Sequence, residues 1–437
     1  GFLNRLLGNR ETVVRAGFGV YYGSIVGDTA LQQLTAPGFS GTDAYFDLGT
    51  GTLANPFAPD PYPLYTADPS QPANAGQIPF NPLTQSSLQV NAPLANFSQP
   101  IDPLIRTPYT YQYNLTIERG FWTNYVLSLS YVGNRGYKQY AREQLNAAYG
   151  TFIPFPTGHT PITPTTSGAN TNARRPNTDI QTGIVQLVSA GRNWYDSFQA
   201  NVQRRYSNGL LFQVAYTFSK SLSDTDTQRG QLDLLNRRFG RGLSSNDTPH
   251  RLVASFVYDL PFAKNYNGFA KTLLGGWSIG GIATFQSGLP FTVANPFNTT
   301  GTGGGILSFA DIGTTFQQLD PRENNSRAFN VDAFRAFGDP STGYVLARDF
   351  RRGTSGPNQF RLQNGINNWD LILSKRTQLW SEASNLELRF EAFNAFNHTQ
   401  FLDADLNLGT TRPNPSFGKF ISARESRVIQ LGARFSF

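Results

Sequence analysis

The 437-residue sequence contains no cysteine and no methionine, and it has no long apolar run. Without cysteine, disulfides, thiol catalysis and cysteine-ligated metals are excluded together. The most apolar segment, residues 273–285, is interrupted by four glycines and a serine. Nothing therefore approaches the roughly 18 consecutive apolar residues of a membrane-spanning helix. The sequence predicts neither a disulfide scaffold nor a helical membrane protein.

Basic residues give the chain a net charge of +7, but they are spread along it without a run. This distribution argues against a nucleic-acid-binding surface, and we expect no nucleic acid as a partner. Aromatic residues, glycine and proline are abundant, with 35 Phe, 19 Tyr, 42 Gly and 27 Pro. Aromatic segments joined by Gly- and Pro-rich connections are typical of all-β proteins.

The chain begins at Gly1, and residues 1–5 show neither the charged region nor the apolar region of a signal peptide. We interpret residues 1–437 as a single C-terminal segment whose N-terminal part is missing.

Ten segments alternate apolar and polar residues with a period of two, which is the pattern of a strand with one apolar face. They are residues 14–22, 110–119, 125–132, 196–205, 210–220, 251–260, 277–286, 368–376, 386–392 and 427–437. In a soluble sandwich the apolar face points inward, and in a membrane barrel it points to lipid. The periodicity alone fits both.

The lengths of the connections favour the barrel. Residues 206–209 form a tight turn with Asn-Gly, and residues 120–124 and 377–385 are short, while residues 24–108, 133–194, 221–249, 295–367 and 394–426 are long. Short periplasmic turns that alternate with long extracellular loops are characteristic of outer-membrane barrels. We therefore predict an antiparallel transmembrane β-barrel in the cell outer membrane, with lipid as a partner.

Two further features support this prediction. The five tryptophans are expected at or just beyond strand ends, where aromatic girdles meet the membrane interfaces: Trp122, Trp194, Trp277, Trp369 and Trp380. The last strand alternates and stops on an aromatic residue, as in a C-terminal signal for the barrel-assembly machinery. The residues of this predicted assembly signal are Ile429, Leu431, Ala433, Phe435 and Phe437.

Several ordered motifs resemble one family. They are VRAGFGVYY (14–22), TPYTYQYNL (107–115), YVGNRG (131–136), YTFSKS (216–221), GW (276–277), QSGLPFT (286–292) and EAFNAFNH (391–398). The chain resembles the C-terminal barrel half of TonB-dependent receptor-like proteins, specifically the Oar-like group of Acidobacteria. The resemblance implies a barrel of about 22 strands with a plug, preceded by an N-terminal regulatory-like domain, and a TonB system as partner.

Only about ten to twelve of those strands are expected here, and the plug and the regulatory-like domain are absent from these residues. Two arrangements remain open for such a chain. It forms either an open curved sheet or a narrower barrel closed by pairing of its end strands. An open sheet leaves two unpaired edges, which lipid does not tolerate.

Charged residues at alternate strand positions are predicted to line the lumen, where those of residues 387–391 pair with neighbours such as Arg15 or Arg434: Arg15, Glu387, Arg389, Glu391 and Arg434. The alternative is an enzymatic acid/base pair among the residues of 387–391. We favour the lumen and expect no enzyme, because no Ser/His/Asp set with a local signature is present. The three histidines are isolated from other ligands, so no metal site or cofactor is expected.

Three functions remain. The first is a receptor or transporter that binds an unknown extracellular substrate at its loops and passes it through the lumen. The second is an outer-membrane surface or adhesion protein without transport. The third is a secreted all-β glycan-binding module with inward apolar faces.

Overall fold

The computed structural model describes residues 12–23, 101–149, 157, 170–178, 185–225, 240–262, 266, 268–296, 308–336, 353–380, 384–409 and 414–437. Long strands dominate it: β1 (Thr12–Tyr22), β2 (Tyr109–Phe121), β3 (Tyr125–Gln144), β4 (Val185–Ser207), β5 (Leu210–Ser223), β7 (His250–Asp259), β8 (Trp277–Gln286), β13 (Ile366–Gln378), β14 (Asn385–Phe393) and β15 (Val428–Ser436). These ten strands correspond one to one to the ten predicted segments.

The long strands form one antiparallel sheet in the order β1-β2-β3-β4-β5-β7-β8-β13-β14-β15, so each pairs with its nearest long neighbours along the chain. A two-residue strand, β6 (Gly242–Leu243), adds to the end of β5. Within the described ranges β1 and β15 each have one partner strand and do not pair with each other, so the sheet is open. The all-β prediction is confirmed, and of the two arrangements the structure has the open one.

The register gives the sheet one apolar and one polar face. In the central ladder, Val202 lies opposite Leu127 on one side and Val214 on the other. On the polar face, Gln199 likewise lies between Ser130 and Thr217. In neighbouring strands, most apolar residues lie opposite apolar residues and most polar residues opposite polar ones. The alternation within each strand therefore produces one continuous apolar surface and one continuous polar surface.

The apolar face is not covered by another layer of the described structure. Val14 is 62% exposed, Phe18 71% and Leu431 76%. A soluble sandwich packs such faces against a second sheet, because contiguous exposed apolar surface of this extent is unfavourable in water. The geometry thus disfavours the secreted module and fits a face made for lipid.

The predicted alternation of short and long connections is confirmed. It places the short connections at one end of the sheet and the long connections at the other. The short-turn end carries Trp122–Asn124 between β2 and β3, Asn208–Gly209 between β4 and β5, and the connections from β7 to β8 and from β13 to β14. The long-loop end carries all the others. Asn208 and Gly209 both have positive φ, of 51° and 79°, as a two-residue hairpin turn requires.

The prediction was wrong about the boundaries of the connection 133–194. Strand β3 continues to Gln144, and β4 already begins at Val185. The ladder shifts register between Gly136 and Tyr140, and Lys138 has φ +54°. This β-bulge breaks the period of two, which hides the outer part of both strands from a pattern of alternation.

The helices of the described ranges are short. An α-helix, α1 (Gly268–Leu274), lies in the connection from β7 to β8, and 3₁₀ turns occur at Asn172–Arg174 and Val331–Ala333. Across the described part of the chain, no helix combines the length and the apolarity needed to cross a bilayer.

Gly276, which links α1 to β8, is a position where we expect a substitution to be costly. It has φ +72°, and a Cβ there would collide with the backbone carbonyl of Arg376. Gly276→Ala is expected to lower the free energy of unfolding by at least about 1–2 kcal/mol, the cost of a left-handed residue with a Cβ. Urea titration in detergent, followed by tryptophan fluorescence, measures this. Gly432→Ala is the control, since its Cβ would meet only Arg389 Cβ at 3.8 Å, and an equal loss there would contradict the prediction.

Candidate functional site

Most of the buried apolar residues of the described chain, including its fully buried phenylalanines, lie in the long connections. Residues 287–296, 308–336 and 353–365, between β8 and β13, pack with residues 394–409 and 414–427, between β14 and β15; we name these segments the loop cap. Its core contains Phe291, Val293, Ala310, Ala328, Phe329, Ala333, Phe334, Leu362, Phe417 and Phe420. The cap is therefore a folded unit at the long-loop end.

Short pairings hold the cap segments in register. Strand β9 (Pro290–Phe291) pairs with β12 (Phe360–Arg361), and β10 (Asp311–Ile312) pairs with β11 (Phe334–Arg335). Single bridges join the two connections, for example Arg327 with Lys419. Within this frame the Phe329 ring stacks on Phe291 with centroids 5.1 Å apart.

The EAFNAFNH motif explains how the chain leaves β14 for the cap. Asn394 and Asn397 both have left-handed φ, of 48° and 52°, which asparagine tolerates better than other side chains. The Asn394 side chain accepts from His398 N at 2.9 Å and donates to His398 O at 3.1 Å. Asn397 Oδ1 accepts from Arg427 N at 3.1 Å, just before β15. The motif therefore forms a turn that stabilises both ends of the connection between β14 and β15.

An ion pair between the partly buried Arg361 and a buried carboxylate joins the cap to the sheet. Arg361 donates from Nη2 to Asp247 Oδ2, and from Nη1 to Asp247 O at 2.7 Å and Gly288 O at 3.0 Å. Asp247 also accepts from Ser221 N, at the end of β5, and its side chain is 2% exposed. Asn358 adds a bond from Nδ2 to Leu243 O at 2.8 Å. The connection between β5 and β7 is thereby held against the cap.

A polar cavity of about 190 Å³ lies beside this ion pair, on the polar face of the sheet at the long-loop end. Its lining is polar throughout: Tyr195, Gln199, Thr217, Ser219, Ser221, Asn246, Asp247, Thr248 and Arg251. The strand residues among them form its floor because β4, β5 and β7 present odd-numbered residues to this face. We name this feature the polar cavity.

Arg251 supplies a positive charge that is available to bind a ligand in the polar cavity. The Asp247 carboxylate, in contrast, is already engaged by Arg361 and Ser221. Arg251 is exposed and donates no side-chain hydrogen bond to any residue in the described part of the chain. An unpaired guanidinium among hydroxyl and amide groups can bind a carboxylate or phosphate in a bidentate manner.

Sequence reasoning missed the polar cavity. Asp247 lies in a predicted long connection, and nothing in its neighbourhood marks it as a partner of Arg361. Arg251 was the first residue of a predicted strand, and a lone charge on a polar face is the only signal that could have found it.

The predicted lumen-facing charges all lie on the polar face, with Arg434 beside the charges of β14 and Arg15 far from them. Arg15 bonds to Glu118 at 3.0 Å on the neighbouring strand, far across the sheet from β14. Arg389 Nε bonds to Glu387 Oε1 at 2.6 Å within β14. Arg434 lies opposite Glu387 in the ladder, and Gln430 lies opposite Glu391. The pairing of Arg15 with the β14 charges was therefore wrong, because the two ends of an open sheet do not meet.

The tryptophans divide between the two ends of the sheet. Trp122, Trp277 and Trp380 lie at the short-turn end, in a turn, at the first residue of β8 and just after β13. Trp369 and Trp194 lie towards the long-loop end, but Trp194 is well inside β4, so its predicted position at a strand end was wrong. The cause is the same hidden extension of β3 and β4.

The predicted assembly signal forms the free edge of the sheet. Among the described strands, β15 pairs with β14 alone. Its residues Ile429, Leu431, Ala433 and Phe435 lie on the apolar face opposite apolar β14 residues. Phe435 stacks on Phe437 at 5.6 Å and contacts Trp380 at 5.8 Å. An aromatic cluster therefore marks the short-turn end of this strand.

Histidine chemistry is confined to structural contacts in the described chain. His250 bonds to Tyr216 Oη at 2.8 Å, and His398 Nε2 lies 3.1 Å from Arg322 Nη2. His159 lies outside the described residues. No group of three or more His, Cys, Asp or Glu side chains in the described ranges is placed to hold a metal ion.

Elsewhere in the long loops, burial lowers the pKa of Arg174 and of Arg175.

An antiparallel sheet with an exposed apolar face, a polar face and a folded cap at one end is the architecture of an outer-membrane barrel wall. In agreement with it, residues 1–430 match the family model described as an outer membrane beta barrel domain. The chain belongs to this family, and its place is the outer membrane. No curated protein is significantly similar to it in sequence.

The chain is similar to solved outer-membrane proteins at low identity and low TM-score. The outer membrane transporter YddB from Escherichia coli is 10% identical, with a TM-score of 0.38, over 76% of this chain and 33% of that one. The FrpB iron transporter from Neisseria meningitidis is 11% identical, with a TM-score of 0.36, over 77% and 32%. The siderophore receptor PiuA from Acinetobacter baumannii is 10% identical, with a TM-score of 0.35, over 76% and 29%. The chain spans about a third of the length of each.

Proposed function

We propose that residues 1–437 are the C-terminal barrel segment of an outer-membrane TonB-dependent receptor-like protein of the Oar-like type, which takes up an extracellular substrate. The polar cavity with its unpaired Arg251, beside the loop cap on the polar face, carries this proposal. A substrate that reaches the cap from outside meets this cavity before it enters the lumen. The strand charges on the same face, Arg15 with Glu118 and Arg389 with Glu387, then line its path.

The proposal includes three further statements. The long-loop end is extracellular, and the remaining barrel strands, the plug and the TonB contact belong to parts of the protein outside this chain. The protein does no covalent chemistry, since the polar cavity offers binding groups and one free cation but no nucleophile paired with a base. The sequence motifs 14–22, 107–115 and 391–398 support the Oar-like assignment.

Arg251→Gln tests the role of the polar cavity. Cells with and without the gene are given a defined mixture of small carboxylates and phosphate esters, and depletion of each compound is followed by mass spectrometry. We expect depletion that needs the gene and the proton-motive force. Arg251→Gln should slow it about tenfold, the worth of one hydrogen bond to a charged group.

Arg205→Gln, at the short-turn end of β4, serves as the matched control and should leave depletion unchanged. Equal rates for wild type and Arg251→Gln would contradict the role of the cavity. Gene-dependent binding that persists without energy and without depletion would contradict transport.

A surface or adhesion protein is the second candidate. One observation favours it: the loop cap has its own aromatic core and presents exposed apolar side chains, including Ile312, Phe396 and Ile421. A rigid outward surface of this kind suits contact with another macromolecule. Energy-independent attachment of cells to a glycan array, lost on removal of the gene, would support it over transport.

A further inference from the structure

The connection between β7 and β8 carries an apolar surface that lies outside the proposed site. Helix α1 places Phe269 and Leu273 four residues apart and therefore on one helical face. Phe269 is 80% exposed and Leu273 54%, and Phe262, just before the helix, is also exposed. Lys271 lies about 200° around the helix from Phe269, towards the opposite side. The helix is amphipathic, and its apolar side is unpacked.

The C-terminal end of α1 is held against the apolar face of the sheet. Lys375 Nζ donates to three helix-end carbonyls, those of Thr272 at 2.8 Å, Leu273 at 2.9 Å and Gly275 at 2.9 Å. Trp277 Nε1 donates to Leu273 O at 3.3 Å. Lys375 and Trp277 lie opposite each other in the ladder, on the same face as the neighbouring pair Leu373 and Ile279.

These contacts stabilise both a lysine on the lipid side of the sheet and the unpaired carbonyls at the end of a helix. A lysine on the lipid side of a barrel is costly at mid-membrane, and the cost falls towards the interface. The last carbonyls of a helix have no partner within it, and hydrocarbon offers none. The Lys375 ammonium satisfies these carbonyls and complements the helix dipole. Its Nζ also lies 5.0 Å from the centroid of the Trp277 ring. The pair therefore marks the level where water gives way to lipid.

We propose that α1 is an interfacial anchor that docks on the phospholipid surface at the short-turn end of the barrel. Phe269, Leu273 and Leu274 enter the boundary between headgroups and acyl chains, and Lys271 stays in water. The occupant is lipid because the helix continues, through Trp277 and Lys375, the face of the sheet that the outer-membrane bilayer covers. A helix with one apolar side and low overall hydrophobicity lies in this plane of a membrane.

The lack of cysteine permits a direct test. The protein is purified from outer membranes in the form the cell makes, with any cysteine outside these residues replaced by serine. Phe269→Cys is labelled with an environment-sensitive fluorophore and reconstituted in phosphatidylcholine vesicles. We expect a blue-shifted emission that is quenched about twofold by brominated acyl chains and little by aqueous iodide.

Lys271→Cys on the same helix is the matched control and should show the reverse, quenching by iodide and not by bromine. Leu273→Cys repeats the measurement at a second apolar position, so that poor folding of one variant does not decide the outcome. Iodide quenching at 269 and 273 equal to that at 271 would overturn the proposal.

A fourth variant tests whether Lys375 holds the helix in place. K375M keeps the length of the side chain but removes the ammonium, and heat-modifiable mobility on gels verifies that the barrel is folded. Bromine quenching of the label at 269 should fall towards the aqueous value in this background. Unchanged quenching would overturn the role of Lys375 in holding the helix at the interface.

Discussion

Phe329→Ala is expected to open the loop cap while leaving the sheet intact. Phe329 is fully buried, stacks on Phe291 and meets the edges of Phe334 at 5.4 Å and Phe417 at 5.5 Å. Truncation of a buried phenylalanine leaves a cavity and costs about 3–5 kcal/mol. Because the core joins two connections, the loss should appear in both of them and not in the strands.

Hydrogen exchange read by mass spectrometry separates these regions. Peptides from residues 308–336 and 414–427 should lose protection in Phe329→Ala, and peptides from β4 and β5 should not. Phe396→Ala is the control, because its side chain lies in the other connection of the loop cap and is 66% exposed. Unchanged protection of the cap in Phe329→Ala would show that the cap does not depend on this core.

Asp247→Ala is expected to release the cap from the sheet. The substitution leaves Arg361 without its buried carboxylate, and breaking such a pair from one side costs about 3–5 kcal/mol. It also removes the acceptor for Ser221 N at the end of β5. Faster proteolysis of the cap in reconstituted vesicles measures the release.

Two controls sharpen this result. Asp320→Ala removes an exposed carboxylate that lies 3.7 Å from Arg322, and exposed pairs contribute only about 0–1 kcal/mol. The double variant Asp247→Ala with Arg361→Met should recover part of the loss, because no unpaired charge remains. A loss as large in Asp320→Ala as in Asp247→Ala would show that burial is not what makes the Asp247 pair matter.

The strands could be predicted because each is specified locally. In β5, for example, Phe212, Val214 and Tyr216 alternate with polar residues, and a flat alternation needs no knowledge of the partner strand. The outer parts of β3 and β4 escaped because the bulge at Lys138 interrupts the period. Helix α1 escaped because seven residues complete only about two turns, and its Leu273 and Leu274 merge with the apolar start of β8.

The cap and the polar cavity depend on contacts that no local pattern encodes. Phe291, Phe329 and Phe417 meet from segments far apart in the chain, and none of them lies on a periodic stripe. Asp247 and Arg361 are separated by 114 positions. The sequence shows that these residues are present, but only the folded structure shows that they are in contact.

The neighbour-only pairing of the long strands has a consequence for how such proteins change. In the described part of the chain, each hairpin of the sheet pairs only with the strands that flank it. Duplication or deletion of one hairpin therefore adds or removes two strands without changing the pairing of the remaining strands. The width of such a sheet can therefore evolve in steps of two strands, while the sequences of its long connections diverge independently of the strands.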